Sequence, residues 1–310
     1  MRSRDAPQPF QYQGSKRIIA SEILSRLDLQ SYSLLVEPFA GSAAVSIRAA
    51  MEGGIRSFWL NDANGPLIDL WNAILDDTQS LINEYAAMWE SQKYDPKDYY
   101  NQVRNRFNES AEPVDLLYLL SRAVKGAIRY NSAGEFNQSP DNRRLGVRPY
   151  ELARRLRAIS TMMSKCTQTS SIDYRDLVEK YEPGQVWYMD PPYEGVSKQR
   201  DSRYVATTCR SEFENFLHDL NDKEIPFLLS YDGQTGKRIY GKPLPPELGL
   251  ERVDIKAGRS TTSTLQGKNE QTIEALYLSQ HLRTAKSSIE DEDPEQMTIG
   301  FAAEDYVRAS

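Results

Sequence analysis

Five residues past the middle of the chain, Met189-Asp190-Pro191-Pro192-Tyr193, have the types and order that chemistry on a planar amino group needs. The apolar run Val186-Trp187-Tyr188-Met189 reads as a strand. Asp190 therefore falls at a strand's carboxyl end, where open α/β sheets bind ligands. Two prolines fix φ and remove two N–H donors, so the corner is stiff and offers carbonyls only. A carboxylate and a carbonyl can each accept one N–H of an NH2 group, and the Tyr193 ring can stack on the attached plane.

Three more acids end predicted strands. Val36-Glu37-Pro38-Phe39-Ala40-Gly41-Ser42 runs from a strand through a tight turn into a helix. Gly41 lets the backbone approach a ligand closely. The segment has neither GxGxxG nor Gly-Lys-Ser/Thr, so it does not read as a phosphate cradle. An acid there suits a ligand with a cationic end and no phosphate. Asp62 follows Leu60-Asn61 and is placed for the hydroxyls of a ribose. Asp173 and Tyr174, after Ile172, are placed for an adenine ring.

Such placement requires parallel strands. Residues 34–39, 57–62, 167–172, 185–190, 226–232, 251–256 and 272–279 read as strands from short β-branched and aromatic runs. Residues 43–51 and 66–75 read as helices, which gives the β-α-β-α opening of an open parallel sheet. Residues 78–92, 96–107, 113–130 and 148–163 all read as helices, with 131–146 as an exposed loop or hairpin. The last two strands, joined by a polar loop, predict an antiparallel hairpin at the sheet edge. The expected organisation is a discontinuous α/β domain (1–75 and 165–285), a helical insertion (76–164) and an acidic, disordered tail (286–310).

The 310 residues are 39% hydrophobic and 26% charged, enough to bury a core. No apolar run approaches the roughly 20 residues of a bilayer span. Met1-Arg2-Ser3-Arg4-Asp5 leads into no apolar stretch, so neither a membrane span nor a secretory signal is expected. Cys166 and Cys209 lie in no CxxC or CxxH context, and His218 and His281 are the only histidines. A reducing compartment without disulfides or a metal centre is expected. The net charge of −6 speaks against a polyanion partner. Its distribution reverses that: 286–310 holds seven acids against two bases, while 121–160 holds nine bases against three acids.

Together these residues resemble the Dam-like DNA adenine-N6 methyltransferases. These are the alpha group, or D12 class, of amino-methyltransferases using S-adenosyl-L-methionine (SAM). The resemblance covers most of residues 9–280. Phe10-Gln11-Tyr12-Gln13-Gly14-Ser15-Lys16 is similar to the family's N-terminal Trp-Ala-Gly-Gly-Lys segment, with Tyr12 in place of tryptophan. Glu37 to Ser42 is similar to the SAM loop, and Asn61-Asp62-Ala63-Asn64 follows. Arg129-Tyr130-Asn131 and Gly134-Glu135-Phe136-Asn137 resemble the recognition domain. Asp190 to Tyr193 and a late Arg259-Ser260 before a strand containing Glu274 complete the pattern. Gln138 to Arg144 departs from the family's usual Val-Pro-Phe-Gly, and the stretch after Tyr193 lacks Phe-Thr-x-Tyr. The GATC target of the best-known relatives is therefore not carried over.

The resemblance implies a Rossmann-like SAM-dependent methyltransferase sheet with an antiparallel edge hairpin, plus an inserted, mainly helical DNA-recognition domain. It implies methyl transfer from SAM to N6 of an adenine flipped out of double-stranded DNA. S-adenosylhomocysteine is left behind, and no metal takes part. Asp190, Pro191, Pro192 and Tyr193 would act on the adenine. Tyr12, Lys16, Glu37, Pro38, Phe39, Gly41, Ser42, Asp62, Asp173 and Tyr174, with Asp190, would surround SAM. Lys125, Arg129, Tyr130, Asn131, Asn137, Arg143 and Arg144 would meet DNA, with Tyr130 or Asn131 filling the gap in the base stack. The implied setting is a monomer in a prokaryotic or phage-type cytoplasm, with room for a separately encoded restriction endonuclease as partner. Two alternatives stay open. One is another amino-methyltransferase, acting on cytosine N4 in DNA, adenine in RNA or a protein amide. The other is a catalytically idle DNA-binding module on the same fold.

Overall fold

A computed structural model describes residues 6–192, 209–235, 238–259 and 271–283. Tyr193, Ser260 and the acidic segment 286–310 lie outside the described residues. Five short runs form parallel strands: β1 (Leu34–Glu37), β2 (Ser57–Asn61), β3 (Thr167–Ser170), β4 (Gln185–Met189) and β5 (Phe227–Thr235). β6 (Arg238–Tyr240) pairs the end of β5, and β7 (Glu251–Arg259) forms an antiparallel hairpin with β8 (Gln271–Leu278). The sheet order is β3-β2-β1-β4-β5-β8-β7, a Rossmann-like arrangement with an antiparallel edge. β8 inserts beside β5, so β7 is the outermost strand.

β1 pairs with β2 on one side and β4 on the other. The chain order reverses there, and such a switch point opens a crevice at the strands' carboxyl ends. Both faces of the sheet are covered, as a parallel sheet requires. Alternate side chains sort to opposite faces. Leu35, Val186, Tyr188 and Leu228 join one core with helices α1 (Ala20–Leu24), α2 (Ala44–Glu52) and α3 (Gly65–Asp76). Val36, Trp187, Met189 and Leu229 join a second core around Phe213, Phe216, Leu217 and Leu220 of a helix at Arg210–Asp222.

The insertion comprises α4 (Thr78–Ser91), α5 (Pro96–Ser110), α6 (Pro113–Arg122) and α7 (Pro149–Met163), so the Arg210–Asp222 helix is α8. Asp95 caps α5 by accepting the Lys97 and Asp98 N–H groups, with Pro96 in the first turn. Tyr85, Tyr100 and Leu116 lie in the same apolar core as the α1–α3 face of the sheet. The insertion therefore shares the core of the domain it interrupts.

One predicted element differs. The helix expected over 113–130 stops at Arg122. Ala123 is extended (φ −65, ψ 145), and Gly126 turns through φ +62. The Gly126 carbonyl accepts the Gln13 N–H at 3.2 Å. A Cβ on Gly126 would lie 2.3 Å from the Gln11 carbonyl oxygen, so this crossing admits only glycine. α1, α8 and β6 are additions to the predicted elements.

Asn61 fixes the strand ends. Its Nδ2 donates to the carbonyls of Pro38 (3.1 Å) and Ile172 (3.0 Å). Its Oδ1 accepts from the Ile172 N–H (3.1 Å) and Ser170 Oγ (2.7 Å). These bonds tie the exits of β1, β2 and β3 at a buried point. Removing the amide strands several polar groups without partners, each costing about 1–3 kcal/mol. Asn61→Ala is expected to lower stability by about 3 kcal/mol in urea denaturation. A loss under about 0.5 kcal/mol would show that the strand exits hold without the clamp.

Candidate active site

A cavity of about 330 Å³ opens at the carboxyl ends of β1, β2 and β4. Its first wall is the turn after β1. Glu37 is buried, and its Oε1 accepts the Ser46 N–H of α2 at 2.7 Å. A strand-end carboxylate thus replaces the missing side-chain cap of that helix. Burial pushes the Glu37 carboxyl from its ordinary value near 4.5 up to about 7. Gly41 has φ +49, and a Cβ there would lie 2.7 Å from the Tyr12 ring. Tyr12 therefore covers the turn directly. The Gly41 carbonyl accepts from Trp71 Nε1 at 2.9 Å, and Ser42 Oγ donates to Ser15 Oγ at 3.0 Å.

Asp62 forms the second wall. Its Oδ2 accepts the Gly41 N–H (2.9 Å) and its Oδ1 the Asn64 N–H (3.0 Å). Two N–H donors orient the carboxylate, while burial raises its pKa. Pro38, Phe39 and Tyr174 continue the lining, with the Phe39 and Tyr174 ring centroids 5.1 Å apart. Asp173 stands exposed at the rim, where both its oxygens bind the Arg175 guanidinium. That partner lowers its pKa.

Asp190 closes the third side, followed by Pro191 and Pro192. Lys16 Nζ donates to Asp190 Oδ1 at 2.8 Å and Oδ2 at 2.7 Å. Burial raises the Asp190 pKa, and Lys16 opposes the rise. Glu274 of β8 lies with its Oε2 3.8 Å from the same Nζ. Tyr188, fully inside the sheet, shares a 2.9 Å hydrogen bond with Ser230 and lines the floor.

The cavity thus gathers Tyr12, Lys16, Glu37, Pro38, Phe39, Gly41, Ser42, Asp62, Asp173, Tyr174, Asp190, Pro191 and Pro192. Tyr193 lies outside the described residues. The residues expected to meet DNA stand elsewhere, except Tyr130. Its hydroxyl donates to Asn64 Oδ1 at 3.1 Å, and its ring packs edge-on against Phe136. Asn131 spends its amide inside the hairpin, on Glu135 and on the Ala133 and Glu135 N–H groups. Arg129 and Asn137 are exposed, joined by the Asn137 N–H to Arg129 carbonyl bond of 2.9 Å. Exposed Arg143 and Arg144 both pair with buried Asp141, at 2.9 and 3.2 Å. These contacts hold the Asp141 carboxyl down to about 2. Lys125 falls in the short turn after α6, and its side chain lies outside the described atoms.

Asn61, Asn64, Tyr188 and Glu274 also line the cavity, and sequence reading did not single them out as site residues. An asparagine preceding a strand-end acid is a usable signal for Asn61. For Glu274 the signal is a lone acid inside Thr272-Ile273-Glu274-Ala275-Leu276. Among the described residues, no cluster of three or more His, Cys, Asp or Glu could hold a metal ion, and no helix is long and apolar enough to cross a membrane.

Comparison with known proteins points the same way. The family model of the D12 class N6 adenine-specific DNA methyltransferases matches residues 12–279. The retron Ec67 DNA adenine methylase of Escherichia coli is 31% identical over 193 residues, which are 60% of this chain and 64% of that protein. The DNA adenine methylase of Serratia marcescens is 30% identical over 231 residues, 71% of this chain and 82% of that protein. The type II methyltransferase M1.LlaDCHI of Lactococcus lactis subsp. cremoris is 25% identical over 284 residues, 87% and 95% of the two chains.

The raised Glu37 pKa has a stability consequence. The folded chain retains a proton that the unfolded chain releases near 4.5. The stability tied to this group is full below about 4.5 and is lost as pH rises through about 7. Glu37→Gln removes that dependence. The stability of the variant relative to the unsubstituted chain is expected to grow by on the order of 3 kcal/mol between about pH 4 and pH 8. Urea denaturation at both pH values checks it, and a difference that stays constant would contradict the shift.

Proposed function

The chain belongs to the D12 class of N6 adenine-specific DNA methyltransferases, and on that footing we propose that it transfers a methyl group from SAM to N6 of an adenine flipped out of double-stranded DNA. The observation that carries this reading is a shared cavity. The stiff Asp190-Pro191 corner and the Glu37–Ser42 turn, with Asp62 bonded to it, face one space across the β1/β4 switch point.

The donor set fits SAM. Five carboxylates line the described cavity, Glu37, Asp62, Asp173, Asp190 and Glu274, against one cation, Lys16. A phosphate-bearing cofactor would be repelled, whereas a phosphate-free nucleoside with a cationic amine and a sulfonium is attracted. Bound SAM supplies an electrophilic methyl group, whose bond to sulfur breaks as a bond to nitrogen forms. Glu37 would accept from its methionine amine. Asp62, oriented by two N–H donors, keeps lone pairs for the ribose hydroxyls. Phe39 and Tyr174 would flank the cofactor's adenine, and Tyr12 would cover the methionine end.

An aromatic amine is a poor nucleophile because its lone pair is delocalised into the ring. Asp190 and the Pro191 carbonyl would accept the two N6 hydrogens and favour a tetrahedral nitrogen. The nitrogen carries one proton too many once its new bond forms, and Asp190 would take it. Flipping the base costs a few kcal/mol. We assign part of the recovery to stacking on Tyr193. Positioning and fixed charge then supply the acceleration. Lys125, Arg129, Asn137, Arg143 and Arg144 would hold the duplex, with Asp141 fixing the two adjacent guanidiniums. Pairing with a separately encoded endonuclease belongs to the same proposal.

Unmethylated DNA incubated with labelled SAM, then digested to nucleosides, is expected to yield N6-methyladenine by mass analysis; N4-methylcytosine alone would overturn the base assignment. Asp190→Ala is expected to cut turnover by at least about a thousandfold while SAM affinity stays within a few-fold. Robust turnover by that variant would remove Asp190 from the chemistry. Arg129→Ala is expected to weaken DNA binding and lower the slope of log affinity against log salt by about one. An unchanged slope would place Arg129 off the phosphates.

A further inference from the structure

The Lys16–Asp190 ion pair stands in the way of the chemistry just proposed. The ammonium sits in the fork of the carboxylate, on both oxygens. An incoming N6 amine needs one of them. Lys16 must therefore give up at least one bond as the base arrives. Its side chain is 10% exposed, so release into bulk water is not at hand. It needs another anion within reach.

The cavity supplies one. Glu37 already accepts a helix N–H, Asp62 accepts two backbone N–H groups, and Asp173 is taken up by Arg175. Glu274 differs: it accepts no hydrogen bond from the described residues, and its Oε2 stands 3.8 Å from Lys16 Nζ. A shift of about 1 Å would bring the two to hydrogen-bond distance. The pairing of β5 with β8 sets that place. Glu274 pairs with Gly233, next to the register shift in β5. A Cβ on Gly233 would lie 2.8 Å from the Ile273 carbonyl oxygen and 3.9 Å from Glu274 Oε2.

We infer that Glu274 is a positioning residue that takes up the Lys16 ammonium when the amino group of the target base reaches Asp190. This rests on the methyl-transfer reading. No proton moves in the exchange: the ammonium keeps all three and trades one carboxylate acceptor for another. Before the base arrives, Lys16 sits on both Asp190 oxygens and opposes the rise that burial imposes on that carboxyl. Afterwards the Glu274–Lys16 pair holds the cation beside, rather than on, the oxygen that receives the amine. Among the described residues, the groups facing this exchange include Lys16, Glu37 of β1, Tyr188 and Asp190 at the end of β4, and Asp232 of β5.

The test compares the full chain with Glu274→Gln and Glu274→Asp, using labelled SAM and unmethylated genomic DNA. With glutamine, Lys16 stays on Asp190, and kcat is expected to fall about tenfold to a hundredfold. SAM affinity, read by calorimetry, is expected to stay within about threefold. Loss of the Glu274 charge leaves the whole ammonium to Asp190 and removes a like charge. The acid limb of kcat/KM is therefore expected to move to lower pH. Aspartate keeps the charge and is expected to restore most of kcat. Wild-type kcat in the glutamine variant overturns the inference while leaving the methyl-transfer reading intact. So does joint loss of SAM binding and turnover in both variants, which would assign Glu274 to the fold. Failure of the unsubstituted chain to methylate adenine overturns the reading and the inference together.

Discussion

Among the described residues, one ammonium among five carboxylates is the constraint around which the cavity is built. Like charges held close in a low-dielectric wall cannot all ionise cheaply. The fold answers four of the five acids locally. Glu37 is answered by a helix N-terminus, Asp62 by two turn N–H groups, Asp173 by a guanidinium at the rim, and Asp190 by Lys16. The balance is incomplete, because Glu37 stays protonated up to about 7 and the Asp62, Asp190 and Glu274 pKa values are all raised. A cavity in that state gains from a cation and loses from a phosphate. Its electrostatics therefore select a ligand class before any shape argument is made.

The sheet sets where those acids stand. Glu37 and Asp190 follow neighbouring parallel strands whose pairing runs through Leu35↔Val186 and Val36↔Trp187. A one-residue slip would turn every side chain to the opposite face and separate the acids from the cavity. The alternation that sends Val36 and Trp187 into one core and Leu35 and Val186 into the other is thus also what aims the site. Asn61 adds a lock across three strand exits.

Glu37, Asp62 and Asp190 were legible in the sequence because each is a lone charge closing a largely apolar run, whereas Asp173 follows the polar strand Thr167–Ser170. Glu274 was harder to assign because its role depends on β8 pairing with a kinked β5, a long-range contact that no local pattern encodes. The helix predicted over 113–130 failed for a related reason. Its apolar spacing continues past Arg122, yet Gly126 is held at φ +62 by contact with Gln11 and Gln13, more than a hundred residues upstream. Asn131 illustrates a third limit. Its type fits many uses, and only the folded hairpin shows that its amide closes the turn on Glu135. Side-chain type restricts what a residue can do, and only packing decides which of those uses it is put to.

The N-terminal segment gives these parts a mechanical link. Gln13 bonds to Gly126 and Gln11 accepts from Arg144, both in the insertion. Tyr12 lies on Gly41, Ser15 bonds to Ser42, and Lys16 holds Asp190, all in the cavity. Phe10 anchors the segment, packing edge-on against both Tyr12 and the buried Trp71. Alternate contacts of one short stretch thus reach the basic insertion and the acidic pocket. Neither side can move far without straining the other, because the stretch is fixed at a glycine crossing that has no room for a side chain. A duplex bearing on Arg144 would therefore load the same backbone that carries Lys16, which stands two residues from the Gly14 turn at its end.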